Sequence, residues 1–156
     1  MPNRGLLNER FEDVIHDLQK NQEAFAVIMM DIDSFKAIND KMGHDAGDQV
    51  IKEFGKRLSK SIRATDTAAR LGGDEFILLL PQTGLREEAA EVAEAIRQSF
   101  GKPWHIHGQL LHVTASMGIA IAGPHDRTRR SIMKKADIAM YEAKRNGKDR
   151  YMFFGD

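Results

Sequence analysis

Two carboxylates, Asp74 and Glu75, follow a glycine pair and lead straight into an apolar run in RLGGDEFILLLP, residues 70–81. The Gly72-Gly73 pair supplies the positive φ angles of a tight hairpin. Phe76-Ile77-Leu78-Leu79-Leu80, closed by Pro81, predicts a fully buried strand. The two acids therefore stand on a rigid turn at the lip of the core, a poor place for solubility charges and a good one for holding a cation. A third acid comes from upstream. Met30-Asp31-Ile32-Asp33 ends a buried strand where a helix begins, and if that strand lies beside the hairpin, Asp31 meets Asp74 and Glu75 at one sheet edge. Three carboxylates with no thiolate favour a hard cation, Mg²⁺ or Mn²⁺, over zinc. Like charges this close repel unless a cation or raised pKa values relieve them. The helix opening at Ser34, Phe35 and Lys36 offers amides to a phosphate, and Lys36 adds positive charge in the same turn. Metal-binding acids beside a phosphate cradle and a lysine make a phosphoryl-transfer site. The chain has no GxxxxGK[ST] motif, so the site is not a P-loop.

The elements that must position these residues alternate along the chain. Helices are predicted over about 9–20 (capped by Asn8), 34–41 (capped by Asp33 or Ser34 and broken at Gly43), 45–62, 85–100 and 129–146. Strands are predicted over 24–30, 67–71, 75–80 and 150–154, with 110–122 as two strands or one bent strand and Gly118 as a bulge. This order implies an α+β sandwich of the ferredoxin-like, palm-type kind, with a mainly antiparallel central sheet flanked by helices.

The bulk composition agrees. One domain with a proper core suits 156 residues of which 42% are hydrophobic. Lys+Arg and Asp+Glu balance at 23 each, so no basic field argues for a nucleic-acid polymer. With no cysteine, disulfides and thiolate metal sites are excluded, which fits a reducing cytoplasm. The longest apolar runs fall far short of a membrane span, and no signal-peptide pattern opens the chain. His105, His107 and His112 around Gly108 read as an exposed hairpin and not as a metal site.

Gly72-Gly73-Asp74-Glu75-Phe76 resembles the signature of the GGDEF family, the diguanylate cyclases. The resemblance extends upstream to Asp31-Ile32-Asp33-Ser34-Phe35-Lys36, Asn39-Asp40, Gly43-His44 and Gly47-Asp48. Downstream it continues through Ala136-Asp137-Ile138-Ala139-Met140-Tyr141-Glu142-Ala143-Lys144 and Asn146-Gly147-Lys148. It implies condensation of two GTP into cyclic di-GMP with release of two pyrophosphates, in a homodimer whose facing domains each bind one GTP. Asp31, the Ile32 carbonyl and Asp74 would bind Mg²⁺, supported by Glu75, and Asp74 would help deprotonate the attacking 3′-hydroxyl. Gly73 would let the α-phosphate approach the backbone. Phe35, Lys36, Lys144 and Lys148 would contact the terminal phosphates, Lys148 standing where the family often has arginine. Asp48 and Asn39 would read guanine, with His44 lining the same pocket. Adenine would leave acceptors on Asp48 unpaired, which disfavours an adenylate-type cyclase on a similar palm-like fold.

Arg63-Ala64-Thr65-Asp66 resembles the family's RxxD inhibitory site. Five residues of strand put it about 17 Å from the glycine turn, and an Arg–Asp pair can grip guanine. Some relatives add an arginine on the next helix. Glu94 stands there in this chain, with Arg97 as the nearby substitute. The family usually opens with an Asp-x-Leu-Thr-Gly turn before its Asn-Arg pair, and Met1-Pro2-Asn3-Arg4 begins inside that motif. The resemblance therefore implies residues 1–156 as a single, N-terminally truncated domain of a longer signalling protein with an upstream sensory or dimerising domain. A binding module that signals through a protein partner by holding GTP or cyclic di-GMP is the alternative. Intact Asp31, Gly72, Gly73, Asp74 and Glu75 favour the enzyme.

Overall fold

A computed structural model describes residues 4–156. The order of elements is α1 (Arg4–Asn21), β1 (Ala26–Ile32), α2 (Phe35–Met42), α3 (His44–Lys60), β2 (Thr67–Gly72), β3 (Glu75–Leu80), α4 (Arg86–Phe100), β4 (Trp104–Ile106), β5 (Gln109–Leu111), β6 (Ala115–Ile121), α5 (Arg129–Arg145) and β7 (Arg150–Phe153). Five strands form one sheet in the order β2-β3-β1-β6-β7. All neighbours are antiparallel except β6 and β7, which run parallel. The first four strands have the ferredoxin-like arrangement expected from the sequence. β7 adds a parallel edge, and β4 with β5 makes a separate hairpin.

Burial explains why β1 reads as an unbroken apolar run. All seven of its residues are buried because helices cover both faces of the sheet. Ala26, Ile28, Met30 and Ile32 pack with Val50, Phe54 and Leu58 of α3 and Ala93, Ile96 and Phe100 of α4. Val27 and Met29 pack on the opposite side with Leu7, Phe11, Val14 and Leu18 of α1 and Ile132, Ala136 and Met140 of α5. Phe54 stacks between Phe76, at 4.6 Å, and Phe100, at 4.4 Å, fixing α3 over the hairpin strand that carries Glu75.

Three local expectations are corrected. Asn8 does not cap α1, which already begins at Arg4. Its partner is instead Arg129 at the start of α5. Neither Asp33 nor Ser34 caps α2 through its side chain: Ser34 occupies the N-cap position with φ 58° and makes no capping bond, while Asp33 is buried against β6. Gly118 is not a bulge. It pairs in register with Met29, and a Cβ there would lie 2.1 Å from both the Ala136 carbonyl oxygen and the Met140 amide nitrogen. The glycine is needed because the α5 backbone lies directly on the sheet. The stretch 110–122, expected as two strands or one bent strand, divides into β5 and β6, with residues 112–114 between them outside both strands.

Candidate active site

The sheet register brings the acids together. Asp31 and Glu75 are directly opposite partners on β1 and β3. The turn is pinned to the strand end by the Ile32 amide, which donates to the Asp74 carbonyl at 3.2 Å. Gly72 (φ 146°) and Gly73 (φ 52°) adopt the backbone that the tight turn demands. Two arginines to which the sequence assigns no role brace it. Arg70 Nε donates to the Gly73 carbonyl at 2.9 Å, and Arg4 donates to the Leu71 carbonyl. Both act on backbone carbonyls, so no side-chain spacing could have marked them.

The repulsion among these acids is only partly relieved, by Lys144. Asp31 is buried, and its Oδ1 has no hydrogen-bond partner. Burial, and then the neighbouring Asp74, push its carboxyl up to about 7, against the pull of Lys144. Burial also raises Glu75, helped by the charges of Asp31 and Asp137 and opposed by Lys144. Burial would lower Lys144, but its bond to Asp31 and the charges of Asp31, Asp74 and Glu75 outweigh this and raise it. Lys144 was expected at the terminal phosphates. Here its ammonium pairs with Asp31 Oδ2, taking the place a cation would take. Among the described residues, no three His, Asp or Glu side chains already form a metal-ready set. A hard cation nevertheless fits the donors: the ligands are oxygens, and one of them, Asp31 Oδ1, is buried with its acceptor capacity unused.

The residues expected at the phosphates, Phe35, Lys36 and Lys148, gather around the start of α2. Lys36 is exposed in the first turn and Phe35 is half-buried. Lys148, after α5, donates to Ser34 Oγ at 3.3 Å, so two lysines flank the helix N-terminus. The base-reading candidates lie farther along. Asn39 packs on Gly47, where a Cβ would fall 1.8 Å from Asn39 Oδ1. That oxygen is buried without a partner. Asp48 is exposed on the adjoining turn of α3, and His44 is exposed as the first residue of α3.

The Arg63–Asp66 pair sits at the opposite end of β2. Asp66 is closed off by its own arginine. Arg63 Nη2 donates to Oδ1 at 2.8 Å, Nε donates to Oδ2 at 3.1 Å and the Arg63 amide donates to Oδ2 at 2.9 Å. Arg63 Nη2 also donates to Thr83 Oγ1 at 2.9 Å. Arg97 does not join this pair. It bonds Glu94 and Asp149, and it lies nine residues along α4 from Glu88, whose charge acts on Arg63, or about 13 Å of helix.

Comparison with known proteins places this arrangement. The sequence profile described as diguanylate cyclase, GGDEF domain, matches residues 1–150. The chain belongs to this family. It is 42% identical over 154 residues to the bifunctional diguanylate cyclase/cyclic di-GMP phosphodiesterase MucR of Pseudomonas aeruginosa, matching 99% of this chain and 22% of that protein. It is 35% identical to the response regulator PleD of Caulobacter vibrioides, over 94% of this chain and 33% of that one. The GGDEF domain thus spans between about a fifth and a third of these relatives. Its fold matches the crystal structure of the TpbB GGDEF domain from Pseudomonas aeruginosa with a TM-score of 0.94 at 34% identity, covering 100% of this chain and 98% of that one. It also matches the GGDEF domain of DgcB from Caulobacter crescentus, solved in complex with c-di-GMP, with a TM-score of 0.92 at 27% identity, covering 100% and 92%. No helix among the described residues is long and apolar enough to cross a membrane.

Proposed function

We propose that this domain is a diguanylate cyclase, condensing two GTP into cyclic di-GMP and two pyrophosphates across a two-fold homodimer. The observation that carries the reading is the register pair Asp31–Glu75 at the glycine turn, with a buried Asp31 oxygen left unpartnered. Asp31, Asp74, Glu75 and the Ile32 carbonyl would hold Mg²⁺ or Mn²⁺. Bound there, the ion would supply charge neutralisation at the α-phosphate.

The chain's own residues do the rest. Gly73 has no side chain to bar the α-phosphate from the turn, and a Cβ there would meet nothing within 4 Å in the protein itself. The α2 amides at Phe35 and Lys36, with the Lys36 and Lys148 ammoniums, neutralise the terminal phosphates. Lys144 exchanges Asp31 for the phosphates when nucleotide enters. Asp48 accepts from guanine N1 and N2, with Asn39 and His44 completing the base pocket. Asp74 assists removal of the 3′-hydroxyl proton. The freed oxygen attacks the partner nucleotide's α-phosphorus, the bond to the β-phosphate breaks, and the electron pair leaves with pyrophosphate.

Arg63 and Asp66 form the cyclic di-GMP inhibitory site. Because Asp66 is already occupied, product binding must first draw Arg63 away from it, and Glu94 supplies no further cation. Residues 1–156 act as one domain of a longer signalling protein, with the dimerising or sensory part outside this chain. The Asn3 of the opening motif lies outside the described residues.

The test is a chromatographic assay with GTP and Mg²⁺ over a range of protein concentrations. Cyclic di-GMP should rise more steeply than linearly with protein and fall at least about a hundredfold in Glu75→Ala. Absence of product even after fusing a dimeric coiled coil to the N-terminus would overturn the cyclase reading in favour of a nucleotide-binding module.

A further inference from the structure

The loop from α5 to β7 contains two consecutive non-glycine residues in the left-handed conformation, Lys148 (φ 64°) and Asp149 (φ 44°), directly after Gly147 (φ 115°). Such residues carry a steric penalty and persist only where the surroundings over-determine them. Here the surroundings account for every backbone polar atom of the pair. The Lys148 amide donates to the Ala143 carbonyl at 3.0 Å, and the Lys148 carbonyl accepts from Arg150 Nε at 3.0 Å. The Asp149 amide donates to Asp33 Oδ2 at 2.9 Å. The Asp149 carbonyl accepts from Arg97 Nε at 3.2 Å, and the same guanidinium pairs with Asp149 Oδ1 at 3.3 Å.

Asp33 is anchored from behind. Its Oδ1 accepts from Ser116 Oγ at 2.6 Å, and its Oδ2 accepts from Thr114 Oγ1 at 2.7 Å. Its amide donates to the Thr114 carbonyl at 2.9 Å. Both carboxylate oxygens are thus spent on the edge of β6 and on the loop. Two residues earlier, near the end of β1, Asp31 keeps an unused oxygen. Asp33 is therefore built as a structural bracket and not as a second ligand at the acidic cluster.

We infer that Asp33 is a positioning residue: with Arg97 as a second brace, it fixes the left-handed Lys148–Asp149 turn so that the Lys148 ammonium is held across the N-terminus of α2. The outcome is visible in the 3.3 Å contact from Lys148 Nζ to Ser34 Oγ. The inference rests on the nucleotide site proposed above. It makes the phosphate-facing cation depend on Asp33, just after β1, on its anchors Thr114 and Ser116 around the start of β6, and on Arg97 of α4, none of which touches nucleotide. It also assigns a purpose to Arg97 other than the inhibitory site.

The test compares GTP with GMP, which lacks the terminal phosphates, by calorimetric titration of the whole chain. Asp33→Ala should weaken GTP about tenfold, the worth of one net hydrogen bond, and leave GMP within about twofold. Asp33→Asn should recover all but about twofold. Its carbonyl can accept from Thr114 and Asp149, while its amide donates to the rotatable Ser116 hydroxyl. Arg97→Ala, at a half-exposed position, should show the same GTP-selective loss at about threefold. It carries the test if Asp33→Ala does not fold. In a Lys148→Ala background, Asp33→Ala should add nothing.

Equal loss on GMP and GTP, full additivity with Lys148→Ala, or an asparagine as poor as alanine would overturn the inference. Should the unmodified chain bind no GTP, the nucleotide reading fails. The bracket is then judged alone by hydrogen exchange without nucleotide. Faster exchange of the 148–150 amides in Asp33→Ala and Arg97→Ala, but not in Asp33→Asn, supports it, and unchanged exchange overturns it.

Discussion

Asp66 and Asp31 lie at opposite ends of the β2-β3-β1 half of the sheet, and the protein treats these two buried carboxylates in opposite ways. At one end Asp66 receives two guanidinium nitrogens and a backbone amide from a residue three positions away, all between 2.8 and 3.1 Å. At the other, Asp31 has one lysine, an unpartnered oxygen and two acids beside it. A buried carboxylate whose bonding is complete secures the fold. One left incomplete among like charges stores unfavourable electrostatics, which a bound cation can relieve. The contrast separates a carboxylate committed to structure from one left with unused acceptor capacity.

The largest break in this comparison is expected at Asp66. Asp66→Ala strands the Arg63 amide and takes both carboxylate bonds from its guanidinium, and should cost about 3 kcal/mol of unfolding free energy. Urea denaturation monitored by circular dichroism reads it. A loss below about 1 kcal/mol would mean that the Arg63–Asp66 pair contributes little to the fold and is free for ligand.

Asp31 should behave in the opposite sense, and pH exposes it. Its carboxyl rises from the ordinary 3.8 to about 7 on folding, so the folded chain binds this proton more tightly than the unfolded chain. Its contribution is therefore favourable below pH 3.8 and is progressively lost as pH rises to about 7, with no further change above. Asp31→Asn cannot ionise. It should flatten this part of the stability–pH curve and be about 1–2 kcal/mol more stable than the parent at pH 8 without added cation, and it should abolish the cyclase activity proposed above. Millimolar Mg²⁺ should stabilise the parent and not the variant. A variant less stable than the parent at pH 8 would show that the Lys144 pair outweighs the repulsion.

How much of this contrast could be read from the chain depends on the range of the interactions. The glycine turn, the buried strands and the meeting of Asp31 with Glu75 follow from local pattern plus one assumption about strand neighbours. RxxD was legible as a pair because its partners are three residues apart. Asp33 was misread as a helix cap because an acid before a helix satisfies that local preference, whereas its real partners, Thr114, Ser116 and Asp149, are 81, 83 and 116 residues away. Gly118 was misread for a similar reason: an isolated strand glycine can mark a bulge or a close backbone approach, and only the packing of α5 decides. Lys144 was legible as a cation at the site, but its choice of Asp31 over the phosphate-facing group depends on burial that no spacing reveals.

The smallest expected effect tests whether the structural end of the comparison is a single pair or a wider network. Thr83 is fully buried, accepts from Arg63 Nη2 and donates to the Pro81 carbonyl at 3.1 Å. It thereby ties the RxxD loop to the end of β3. Thr83→Val keeps the shape but removes both bonds, and should cost about 1 kcal/mol. If Thr83 only supports Arg63, the cost should vanish in an Asp66→Ala background, because the guanidinium is no longer held in place to use it. If the cost persists in full, the Pro81 contact accounts for it and Thr83 braces the strand end independently. A double-mutant cycle by urea denaturation separates these outcomes through the coupling energy. A coupled Thr83 would also predict tighter cyclic di-GMP binding in Thr83→Val, since Arg63 would then have one partner fewer to give up before it can turn to a ligand.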